Sequence, residues 1–141
     1  MVSYTEQDLG QFVRGYVEAV LFFEQLPEAE EGEEWEEGES YWDAGFRFES
    51  VDAASIERIH TASIAVLEEG AHLIPGGRLI TEFTAMSHAD HDAAMSAQRI
   101  LGGFGQDRWH QPIGEMLEAI VNQHMGWDLE PWKSVVYIGR D

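Results

Sequence analysis

The 141-residue chain carries 27 acidic residues against 8 basic ones, a formal net charge of −19 at neutral pH, and has no cysteine. That balance repels nucleic-acid phosphates and anionic lipid headgroups, which argues against direct binding to DNA, RNA or a charged membrane surface. The lack of thiols removes disulfides, thiolate metal sites and cysteine nucleophiles.

A hydrophobic fraction of 44%, with 11% aromatic residues, suffices for one sizeable core, and the length fits one domain spanning residues 1–141. No apolar run reaches the roughly 18 residues that a spanning helix needs. The opening MVSYTEQDLG lacks the basic-then-apolar order of a secretory signal, so a cytoplasmic protein is expected.

The strongest periodic signal lies in LGQFVRGYVEAVL. Leu9, Phe12, Val13, Tyr16, Val17, Val20 and Leu21 recur at intervals of three and four and share one side of a helix. Ser3 with Glu6, or Thr5 with Asp8, supplies the start signal near Thr5, and Pro27 ends the segment. Gly10 and Gly15 lie off this stripe or at its edge.

An acidic tract follows. From Glu24 to Asp43 no basic residue occurs, and residues 27–40 hold Glu28, Glu30, Glu31, Glu33, Glu34, Glu36, Glu37 and Glu39. Gly32 and Gly38, with mutual charge repulsion, predict an extended mobile loop in place of a helix. Trp35 stands alone in it. Two readings are open: an anchor folded back on the core, or an aromatic hook offered with the carboxylates to a basic partner.

Tyr41–Phe48, YWDAGFRF, is aromatic and mildly alternating, which predicts a short strand or an extended edge. Ser50 or Asp52 then caps a second helix over Ala53–Glu69, with Ile56, Ile59, Ser63, Val66 and Leu67 inward and Gly70 at its end. His60 beside that stripe reads as a packed or surface residue. Pro75-Gly76-Gly77 is a turn, and Arg78–Ala85 alternates as a half-buried strand. Ser87–Leu101 is alanine-rich but weakly periodic, so helix and strand both stay open there. Pro112 suits the first turn of a third helix with the stripe Ile113, Met116, Leu117, Ile120 and Val121, closed by Gly126. Ser134–Ile138 is a strand. The expected fold is therefore α+β, a small antiparallel sheet of about three strands packed against three or four helices.

Few residues point to chemistry. The segment SHADHD offers His88, His91 and Asp92, which share a face if helical and are ordinary divalent-metal ligands. They lack the His-Glu-x-x-His spacing of metalloproteases, and a surface helix start explains them equally well. Gly102–Trp109, GGFGQDRW, has no Gly-Lys-Ser/Thr and so is a turn rather than a phosphate loop. No serine sits in a Gly-x-Ser-x-Gly elbow. Neither an enzyme nor a cofactor is expected.

Several short words nevertheless recur together: Tyr16, Glu18, Ala19 and Leu21; then His91, Asp92 and Arg99; then Gly103, Phe104, Asp107 and Arg108; and last Tyr137, Gly139, Arg140 and Asp141. In this order the chain resembles a family of small uncharacterised proteins of tailed phages and related mobile elements. The family's His-Asp segment is more aromatic than the alanine-rich one here. The resemblance implies no activity, only a setting: an accessory protein in the cytoplasm of an infected bacterium.

Charge and setting together lead to an expected non-enzymatic protein that binds a basic surface of a host protein. In its sharpest form this is a DNA-mimic inhibitor of a restriction or CRISPR effector, since a basic channel answers to carboxylates placed as phosphates are. The alternatives are a homodimeric assembly accessory using exposed tryptophans, and a metal-binding protein built on His88, His91 and Asp92.

Overall fold

A computed structural model of the chain describes residues 6–29, 35–71, 93–94, 113–132 and 135–139. Among these residues the architecture is α+β. Helix α1 spans Glu6–Phe23, α2 spans Ala53–Ala71 and α3 spans Ile113–His124, and strands β1 (Leu129–Trp132) and β2 (Val135–Ile138) form an antiparallel pair.

All seven residues of the α1 stripe are buried, with Tyr16, Val17 and Leu21 fully so. Each large apolar side chain contributes about 1.5–3 kcal/mol on leaving water, which makes α1 the principal apolar wall of the core. Helix α2 packs against both α1 and α3. Its buried face is the expected one, with Ile59, Ser63, Val66 and Leu67 inside, Ile56 half-buried and His60 outside. The helix continues through Gly70 to Ala71, because a glycine in a right-handed conformation weakens a helix without ending it.

Helix α3 buries a narrower stripe than the sequence suggests. Leu117, Val121 and Met125 lie inward at four-residue spacing, Ile120 is half-buried, and Met116 is 47% exposed. Where α3 packs on α2, one i, i+4 row makes the contact, and Met116 falls just outside that row. Gly126, at φ +102°, turns the chain out of the helix as expected.

Strand β2 is the expected C-terminal strand, whereas β1, carrying Pro131, was not foreseen. Pro131 pairs opposite Val136 and fits because β1 is an edge among the described residues, where a missing N–H is tolerated. On its other side β2 meets an isolated parallel bridge, Val51 to Val136, and the Asp52 N–H donates to the Val136 carbonyl at 3.1 Å. Beyond that bridge α2 supplies side chains. The Ser55 hydroxyl accepts the Ile138 N–H at 2.9 Å and donates to the Asp52 carboxylate, and Arg58 donates to the Ile138 carbonyl at 2.6 Å. A helix thus satisfies backbone groups that a third strand would take.

Tyr41–Phe48 is not a strand. Tyr41–Gly45 forms consecutive turns, closed by Ala44 N–H to Ser40 O, Gly45 N–H to Trp42 O and Phe46 N–H to Tyr41 O, and Phe48–Ser50 is a 3₁₀ turn. Tyr41 and Phe46 are both buried, with ring centroids 5.7 Å apart. An odd separation would send them to opposite faces of a strand, and the turn delivers both to one core. Arg47 locks it, lying 3.8 Å over the Trp42 ring and donating to the Trp42 and Phe46 carbonyls. The expected strand Arg78–Ala85, the start signals Ser3 and Thr5, and most of Ser87–Leu101 lie outside the described residues. Ala93 and Ala94 alone of that last segment are described, helical and fully buried.

Candidate functional site

The feet of the acidic loop are fixed. Leu26, buried, donates to Glu39 O at 2.7 Å and accepts from Gly38 N–H at 3.1 Å, Tyr41 N–H reaches Glu24 O at 3.2 Å, and Gln25 bridges antiparallel to Ser40. Trp35 takes the anchor reading: its Nε1 donates to Pro27 O at 2.9 Å and its ring meets Phe46 edge-on at 6.3 Å. Glu28, Glu36 and Glu37 are exposed on these pinned flanks, and Glu39 is half-buried. Glu30, Glu31, Glu33 and Glu34 lie outside the described residues, as do His88, His91 and Asp92. Among the described residues no group of three or more metal-ligating side chains comes together.

Beside this loop opens a cleft of about 700 Å³, a size typical of ligand pockets. Glu24, Gln25, Pro27 and Tyr41 form one wall, and Asn122, Met125, Gly126, Trp127, Asp128 and Leu129, from the end of α3 to the start of β1, form the other. Carboxylates, amides and aromatic rings line it, with no arginine, lysine or histidine among its described residues.

Two phenols report the electrostatics. Burial pushes Tyr41 well above the usual tyrosine range, and the carboxylates of Glu24 and Glu130 push it further. Burial likewise raises Tyr16, with the Gly126 backbone opposing and Glu24 adding. The Tyr16 side chain is fully enclosed, its oxygen facing the Gly126 backbone without reaching hydrogen-bond geometry. Its ring meets Trp127 edge-on at 6.5 Å. Trp127 also packs against Gly139, whose φ of +75° and missing side chain let the ring close in; a Cβ there would fall 2.8 Å from Trp127 Cδ1.

The arginines that are described are occupied within the chain. Arg14 pairs with Glu18 at 3.5 Å and Glu49 at 3.1 Å and lies 5.0 Å over Phe48. Glu49 is held below the usual carboxylate range, first by its own backbone N–H and then by Arg14. Arg47 and Arg58 serve backbone carbonyls, and His124 meets Glu69 across the α2–α3 contact. Every carboxylate whose side chain is described is half-buried or exposed, and such residues occur on α1, α2, α3, the loop and the hairpin.

The sequence reading missed this cleft. Glu24 was visible only as one of many acids, and Asn122, Trp127 and Asp128 gave no pattern beyond an aromatic and an acid following a glycine turn. A second, apolar hollow of about 380 Å³ lies between Glu18, Ala19, Phe22, Phe23 and Trp42, with Phe22 55% exposed. No helix of the described residues is long and apolar enough to cross a membrane. Comparison with known protein families, with curated proteins and with solved structures finds no match to this chain.

Proposed function

We propose that the chain is a non-enzymatic acidic accessory protein that binds a basic surface of a partner protein. The observation that carries this reading is the one-sided use of charge. The described arginines are engaged by the chain's own carboxylates, rings and carbonyls, while the described carboxylates remain open to solvent in whole or part. A net −19 left in this state attracts a cationic partner over a Debye length of about 8 Å at physiological salt. The tied feet of the acidic loop support the reading further, because carboxylates on pinned backbone lose less freedom on binding than those on a free coil.

In its specific form the partner is a nucleic-acid-binding effector of the host and the protein a DNA mimic. The phage-type resemblance of the sequence motivates that form, and the encounter proposed is one in the bacterial cytoplasm. The test is capture from bacterial lysate at low and moderate salt, comparing wild type with a variant whose Glu28, Glu36, Glu37 and Glu39 are changed to glutamine. The reading requires a basic protein that is retained by the wild type, lost with salt, displaced by duplex DNA and weakened by the glutamine variant. Equal capture by both proteins, or capture that duplex DNA leaves unaffected, refutes mimicry at the loop.

A further inference from the structure

We draw no further inference here: the strongest candidate, the apolar hollow between Glu18, Ala19, Phe22, Phe23 and Trp42 at the end of α1, has its Glu18 carboxylate paired with Arg14 and its Trp42 ring beneath Arg47, and nothing in the structure shows what covers it.

Discussion

Gly139→Ala tests the packing that sets the cleft wall. Gly139 sits at φ +75°, where a side chain costs about 1–2 kcal/mol. The new Cβ would also lie 2.8 Å and 3.0 Å from Trp127 Cδ1 and Cγ and 3.2 Å from Arg58 Cδ, against an ordinary carbon–carbon contact of about 3.5–4.0 Å. Arg58 is held by the Ile138 carbonyl and Trp127 by Tyr16, so neither neighbour yields freely, and overpacking of this kind costs about 1–3 kcal/mol more. The total, about 2–5 kcal/mol, is a large part of the 5–15 kcal/mol that usually holds a domain together. Gly38→Ala separates the two contributions, because Gly38 has a similar φ of +86° but open space around it. Urea unfolding followed by far-UV circular dichroism reads both midpoints at constant slope. Gly139→Ala should be the less stable by about 1–3 kcal/mol. Two variants within about 0.5 kcal/mol of each other, a margin at which distant substitutions cease to be distinguishable, would mean that Trp127 is not pinned, and the preformed wall would be refuted.

High pH should expose the two buried phenols. Tyr16 and Tyr41 have folded-state values raised above the unfolded value of about 10, so the folded chain holds more protons than the unfolded one above that pH. Their contribution is intact below about pH 10 and declines as pH rises beyond it. Urea midpoints at pH 8 and pH 11 should therefore fall less for Tyr16→Phe and Tyr41→Phe than for wild type; parallel falls would assign the loss to other groups. At neutral pH, Tyr16→Phe should hold stability or raise it by about 1 kcal/mol, since it removes an unpaired buried hydroxyl. Ser55→Ala should cost about 1–3 kcal/mol by leaving the Ile138 N–H unpaired, with faster hydrogen exchange at Ile138 as its signature. Gly10→Ala should stabilise by about 0.5–1 kcal/mol, because Gly10 is exposed inside α1 with nothing within 4 Å of a new Cβ; a raised urea midpoint checks it.

The helices were legible because their signal is redundant. Seven apolar residues in α1 agree on one face, and no alternative period accommodates them. The same reasoning gave α2 its inner face and β2 its position. It failed at Tyr41–Phe48, where aromatic alternation looks like a strand although Gly45 and Arg47 close a turn, and at β1, where Pro131 argues against a strand unless its edge position is known. Both failures concern which segment lies beside which, and local pattern does not encode that. The cleft was illegible for the same reason. Glu24 and Asp128 are far apart in sequence, and they share a site only because α1 and α3 both end at it.

The net charge itself could be read at once, but its meaning changes when the arginines are followed into the fold. A chain with few cations could have spread them over its surface to lower its field. Here the described ones stabilise turns and helix–sheet junctions: Arg47 inside the Tyr41–Phe46 turn, Arg58 at the end of β2, and Arg14 between α1 and the 3₁₀ turn. Each such contact compensates a local carboxylate, ring or carbonyl and leaves the wider surface negative. Solubility alone needs only a modest excess of one sign, about 2–8 charges for a small domain, and −19 lies well beyond that. A field of that size adds self-repulsion to the folded state, which burial along α1 must offset. The fold therefore carries a standing electrostatic cost that a cationic partner would relieve.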